Sequence, residues 1–476
     1  MKRIKAPIIF VLMIMLCVSC FEDNDDNGVS ITDINDFVWQ GMNAFYLYLE
    51  HIPDLANDRF SSNDAYVNYL NGFNRPEDLF ESLIYKRETV DRFSWIVDDY
   101  LELERLFEGT RGTNGLEFNF YQSPNSDTDA FGVIRLVLPG SPAAKTVLKR
   151  GDIIYGIDGI KLTTSNLASL FNQNSYTLNL GVYNDHNTPE ESDDTIDPID
   201  VNITLNKVIY TENPIFKTAT FNIGGQNIGY LMYNGFIKGS EEQLNSVFAD
   251  FKSKNVQRLV LDLRYNPGGS VLTTAYLASM ITGQFTGEIF EKLRYNKNQT
   301  GNNFDYLFYN ELPSEASINS IGLNKLYILA TGSSASASEG LINGLRPYIE
   351  VIHLGSNTVG KTQASRTLYD SPDFTREGAN PTHTYAMQPL IAEGLNKNDE
   401  KVPETGLVPS IGFEYKENAT NYGVLGDPEE PMLALALAAI NNSTAKVSRI
   451  KSQTKDLDLI LESNTFNPYE GGMYID

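Results

Sequence analysis

Apolar and polar positions follow three different rhythms along this chain. Between residues 31 and 108 the rhythm is helical. Ile34, Phe37, Val38, Met42, Phe45 and Leu49 recur at the i, i+3, i+4 spacing of one buried face. Pro76, followed by Glu77 and Asp78, marks another helix start, running to Tyr85, and Ser94–Phe107 reads as a further helix. From Gly109 short apolar runs and turns take over, as in Phe131–Val137 and Asp152–Ile157, and Ile199–Val208 closes that region as a strand.

The third rhythm, from about residue 213 to 440, alternates strand and helix. Asn227–Tyr233 reads as a strand, and Ser240–Ser253 as a helix with Leu244, Val247, Phe248 and Phe251 on one face. Arg258–Arg264 is a strand, Ala275–Ile281 a helix, Leu326–Ala330 a strand. A helical pattern carrying Leu341, Ile342 and Leu345 ends near Pro347, and Ile349–Leu354 is again a strand. Met432–Ile440 forms a last helix. This alternation predicts an α/β core. Residues 283–324 and 367–400 read as loops, the former shaping a groove, and 441–476 as a polar tail.

The chemistry concentrates between Leu326 and Lys361. A buried strand runs into the small-residue elbow Gly332–Ser338, then into a helix, a second strand, the turn Gly355–Gly360, and Lys361. A serine at such an elbow sits beside the unpaired N–H groups of a helix N-terminus, which suit a developing oxyanion. A serine hydroxyl needs a base, and a lysine serves only when burial makes it neutral. Ser336-Ala337-Ser338-Glu339 also fits a capping box, in which Ser336 is a structural N-cap. Both readings stand at this point.

G-S-S-A-S-A-S-E at 332–339, followed by V-G-K with Lys361 twenty-five residues after Ser336, resembles the C-terminal processing peptidases, or tail-specific proteases. The resemblance implies a crotonase-like α/β core, with Ser336 as nucleophile and Lys361 as general base. D-L-R-Y-N-P-G-G at 262–269 resembles the same family and implies an oxyanion hole from Ala337 N–H together with that of Gly268 or Gly269. G-L-V-P at 406–409 is similar to its closing segment. Some members carry Asp eleven residues after the serine, where Pro347 stands here; others carry Gln four residues after the lysine, where Ser365 stands. Gln363, two positions from Lys361 and so on the same face of a strand, is the candidate for orienting the amine.

G-S-P-A-A at 140–144, R-G-D-I-I at 150–154 and I-D-G at 157–159 resemble a PDZ domain. That resemblance implies a peptide added as a strand at a sheet edge, with its carboxylate on the loop Gly115-Leu116-Glu117-Phe118. Glu117 replaces the usual second glycine, so an anion stands near the presumed carboxylate site. At the start of the chain a basic stretch (Lys2, Arg3, Lys5), the apolar run Ile8–Leu16 and Cys20 resemble a bacterial lipoprotein signal. Phe21–Asp26 is an acidic tether, similar to the export signal of Bacteroidetes surface lipoproteins. The expected organisation is an α/β multidomain protein: signal peptide 1–19, tether 20–30, helical domain 31–108, PDZ-like β-rich domain 109–212, peptidase core 213–440 and tail 441–476.

Acidic residues outnumber basic ones by 24, which argues against a nucleic-acid partner. Both cysteines, Cys17 and Cys20, lie in the leader, so no disulfide framework is expected. No metal or cofactor motif occurs, and His353 in its apolar strand reads as a core residue. The expected function is a serine endopeptidase of the cell envelope acting on polypeptides through a Ser/Lys pair. It would be anchored by a lipid at Cys20 to the outer membrane, facing the periplasm or the cell surface. The alternative is a peptide-binding lipoprotein that has lost catalysis.

Overall fold

The computed structural model describes residues 29–188, 193–443, 457–466 and 473–475. The signal segment, Cys20 and the acidic tether lie outside these residues. Four parallel strands, Gln226–Tyr233, Arg258–Asp262, Lys325–Ala330 and Glu350–Gly355, form the central sheet, with Ile215–Ile223 antiparallel at one edge. They are buried on both faces, which is why they read as continuous apolar runs. Helices Glu241–Ser253, Val271–Thr282 and Ala337–Leu345 share one apolar cluster with this sheet; Pro431–Ile440 belongs to a second cluster that also draws on its strands.

Two stretches expected to be loops carry strands instead. Ile289–Tyr295 and Phe304–Leu307 join Leu390–Leu395, Gln363–Ser365, Met473–Tyr474 and Gly269–Ser270 in a six-stranded sheet. Ala386–Gln388 pairs with Trp95–Val97 and Leu368–Tyr369. Trp95–Val97 also corrects the helix expected from Ser94. The helix begins only at Tyr100, where the Asp99 carboxylate accepts from Leu101 N–H at 2.8 Å.

The N-terminal helices pack directly on the central sheet and its helices. Phe37, Val38, Met42 and Phe80 belong to the same apolar cluster as Leu261, Ala337 and Leu341. Residues 109–212 have their own cluster around Phe118, Phe120, Ile154 and Phe171. Their sheet runs in the order Leu459–Glu462, Leu116–Gln122, Ala130–Val137, Ile153–Ile157, Ser175–Asn184, Thr195–Asn206. Its first strand comes from the segment expected to be a polar tail.

Charge joins the two bodies. Arg264, fully buried, bonds Asp262 at 2.8 Å, Glu430 at 2.8 Å and Glu417 at 3.1 Å. Arg150, from the β-rich domain, reaches the same Glu417 at 2.6 Å and Tyr265 Oη at 2.8 Å. Arg264→Ala leaves three buried carboxylates short of a partner. The expected loss is about 3–5 kcal/mol of unfolding free energy, checked by urea denaturation.

Candidate active site

The elbow after Lys325–Ala330 is sewn to the loop after Arg258–Asp262 by small hydroxyls. Ser334 Oγ donates to Leu263 O at 2.7 Å, Ser338 Oγ donates to Asn266 O at 2.9 Å, and Ala335 N–H donates to the same carbonyl at 3.1 Å. These bonds hold Ser336 at the head of helix Ala337–Leu345 with φ 62° and ψ −113°. A non-glycine residue rarely adopts such a backbone, and it persists only where the surroundings enforce it.

Only one half of the capping box operates on Ser336. Its N–H donates to Glu339 Oε2 at 2.8 Å, while its Oγ, fully buried, has no hydrogen-bond partner. Glu339 does more than cap. The same Oε2 accepts from Lys361 N–H at 2.9 Å, and Oε1 accepts from Gly360 N–H at 2.7 Å and from Thr358 Oγ1. One carboxylate therefore ties the backbone of Ser336 to that of Lys361. Burial pushes its pKa up, opposed by the four donors.

Lys361 is 1% exposed, and its Nζ has no hydrogen-bond partner. An ammonium there would bury three unsatisfied donors, so burial lowers its pKa to about 7, opposed by the carboxylates of Asp91 and Glu339. The Nζ stands 5.1 Å from the ring centroid of Phe93 and 5.6 Å from that of Trp95. The lysine box is thus built from the N-terminal segment, where no catalytic signal was read. Asp91 itself is fully buried, accepting from Tyr46 Oη at 2.7 Å and Ser94 Oγ at 2.6 Å.

The paired glycines have separate reasons. A Cβ on Gly268, whose φ is +114°, would lie 2.8 Å from Ser336 Cβ and 3.1 Å from Ala337 N. A Cβ on Gly269 would lie 2.3 Å from Phe236 O. Gly268, Ser336 and Ala337 therefore meet, and Gly269 lies against Phe236. The Gly268 N–H is engaged, donating to Asn266 Oδ1 at 2.9 Å, so it does not face an oxyanion in this conformation. Ala337 N–H, at the first helical residue, keeps that role open.

Parts of the chain are similar to known sequences. Residues 227–378 match the model of peptidase family S41, and residues 33–95 match that of the peptidase S41 N-terminal domain. The similarity is to peptidase family S41, over the central sheet and the N-terminal helices. The carboxyl-terminal-processing protease of Picosynechococcus sp. is 27% identical over 316 residues, 64% of this chain and 68% of that protein. The chloroplastic C-terminal processing peptidase of Tetradesmus obliquus is 24% identical over 286 residues, 56% of this chain and 57% of that protein. A Bacteroides fragilis protein assigned to the S41 proteases has the same fold, with a TM-score of 0.68 at 24% identity, over 86% of this chain and 97% of that one.

Two site expectations differ in the structure. Gln363, buried in strand Gln363–Ser365, does not bond the Lys361 amine; the fields acting on that amine come from Asp91 and Glu339. The loop at Gly115 is not open for a carboxylate either. Gly115 N–H donates to Thr113 Oγ1 at 3.0 Å, Leu116 N–H to Asn114 Oδ1 at 3.1 Å, and Phe118 N–H to Ser463 Oγ at 2.9 Å. Glu117 pairs instead with Arg135 at 3.1 Å and Arg111 at 3.2 Å. His353 is a satisfied core residue, its Nδ1 3.1 Å from Val408 O.

The cost of burying Lys361 gives a direct test. Its folded pKa lies below the unfolded value of 10.5. The penalty is therefore absent above that pH, grows as pH falls, and is complete below about 7. Lys361→Met is expected to raise unfolding free energy at pH 7 by up to roughly 4 kcal/mol, with the gain fading towards pH 10, as read by denaturant titrations across pH.

Proposed function

We propose that the protein is a serine endopeptidase acting on polypeptides through Ser336 and Lys361. The observation that carries this reading is two buried groups without hydrogen-bond partners, on segments that Glu339 ties together: the hydroxyl of Ser336, on a strained backbone, and the amine of Lys361, whose pKa falls to about 7. Neutral Lys361 takes the Ser336 hydroxyl proton as Oγ attacks the scissile carbonyl carbon. The carbonyl oxygen becomes an oxyanion facing Ala337 N–H. The lysine ammonium then gives its proton to the leaving amine, the C–N bond breaks, and water hydrolyses the acyl-enzyme by the same proton path. The names of the relatives favour substrates presented by their C-terminal ends.

A second reading, peptide binding without turnover, is favoured by one observation: Gly268 N–H, one of the two glycine donors expected for the oxyanion hole, is already held by Asn266. One experiment separates the two. The purified protein is incubated with an unstructured polypeptide and the products are followed by mass spectrometry. Cleavage is expected, lost at least a thousandfold in Ser336→Ala. Its rate should rise with pH through about 7, since the base must be neutral, and be indifferent to chelators. Absence of cleavage at every pH would leave the binding reading.

We further propose that the protein is a lipid-anchored component of the outer membrane, in the periplasm or at the cell surface, held through Cys20 with Phe21–Asp26 as tether. Support comes from the basic and apolar leader before Cys20 and from the stable attachment that more than one acyl chain provides. Cys20→Ser is expected to move the protein from the membrane to the soluble fraction. A wild-type protein that fractionates as soluble would exclude the anchor.

A further inference from the structure

Leu459–Phe466 and Met473–Ile475 lie at the two places where a polypeptide would bind. Leu459–Glu462 lies antiparallel along the free edge of Leu116–Gln122, with Leu461 opposite Phe120 and Glu462 opposite Asn119. Ser463 Oγ then takes the N–H of Phe118 at 2.9 Å. Phe466 fills the aromatic pocket beneath, its ring 5.7 Å from Phe120 and stacked on Phe171 at 6.1 Å. This is recognition by strand addition, with main-chain bonds along the edge and one side chain in a pocket.

Further along, Met473–Tyr474 lies parallel to Gly269–Ser270 on one side and to Gln363–Ser365 on the other. The first of these strands leaves Gly268, which presses on Ser336; the second follows Lys361 by two residues. Ile475 N–H continues the ladder to Ser365 O at 3.0 Å. The Tyr474 ring stacks on Phe107 at 4.5 Å, beside a cavity that Gly268 and Gly269 also line. Met473–Tyr474 thus occupies a strand position between the two segments that lead to Ser336 and Lys361.

The two contacts are joined through the elbow. Glu462 bonds the buried Arg135 at 2.6 Å and accepts from Ser333 Oγ at 2.6 Å, three residues before Ser336. Whatever lies on the domain edge therefore touches the loop that carries the serine.

We propose that Leu459–Phe466 and Met473–Ile475 are a built-in polypeptide ligand, the former filling the domain edge and the latter the strand slot beside Ser336. Polypeptides bind by displacing it. The favoured occupant is an extended chain with an aromatic residue for the Phe466 pocket and a second about eight residues on, at the Tyr474 position. The proposal rests on the peptidase reading only where the displaced competitor is called a substrate. Tethering gives the segment an effective concentration on the order of millimolar, so it outcompetes free peptides of ordinary affinity.

The test uses the full chain carrying Ser336→Ala, so that nothing is cut, and a fluorescent synthetic peptide with the sequence of residues 457–476, its binding followed by anisotropy. Adding Phe466→Ala and Tyr474→Ala together is expected to tighten peptide binding at least tenfold. Equal affinity with and without the two changes overturns the proposal. If the double variant does not fold, lengthening the 467–472 connection by twenty Gly/Ser residues replaces it. This keeps every described contact and is expected to tighten binding several-fold; no change again overturns the proposal. Tighter binding without cleavage by any Ser336-bearing chain would sink the peptidase reading alone, and cleavage without tighter binding would sink this inference alone.

Discussion

The carboxylate of Glu339 is the interaction on which the site depends. It accepts from the N–H groups of Ser336, Gly360 and Lys361 and from the Thr358 hydroxyl. Charge-assisted bonds of this kind are strong where water is excluded. They also explain how a serine can be held at φ 62°. The elbow cannot relax without giving up a bond to Glu339, and Glu339 cannot move without shifting the segment that carries Lys361. Position of the hydroxyl and position of the amine are thus one constraint.

The second requirement is dryness. Lys361 is enclosed by Phe93 and Trp95, while Asp91 and Glu339 pull its pKa back up without bonding the amine. Burial outweighs both carboxylates, and the result is an amine close to half-neutral at neutral pH. A hydrogen-bonded carboxylate against Nζ would have restored an ordinary ammonium. Packing against Phe93 and Trp95, with no hydrogen bond from Gln363, surrounds the amine.

How far the sequence could be read follows from the range of each interaction. The order strand, elbow, helix, strand and lysine was legible because Leu326–Ala330, the small-residue cluster and Leu341, Ile342 and Leu345 are local patterns with their own periods. The lysine box was not, because Asp91, Phe93 and Trp95 lie some 270 positions away and show no periodicity that marks them. Strands such as Ile289–Tyr295 and Ala386–Gln388 were missed because their neighbours in space, not their own composition, make them strands. Leu459–Glu462 failed for the same reason, as four residues are too few to show an alternation. The capping box at 336–339 was seen but only half understood. Its Glu339 also serves Gly360 and Lys361, a link that no local window contains.

Because Phe93 and Trp95 enclose Lys361, the reactive amine is a product of folding and not of the residue itself. In a chain that has not yet brought Phe93 and Trp95 against the central sheet, Lys361 is an ordinary solvated cation. On the proposed reading, such a chain would lack the neutral base, so activity would depend on completed assembly and would be lost when the amino-terminal half loosens.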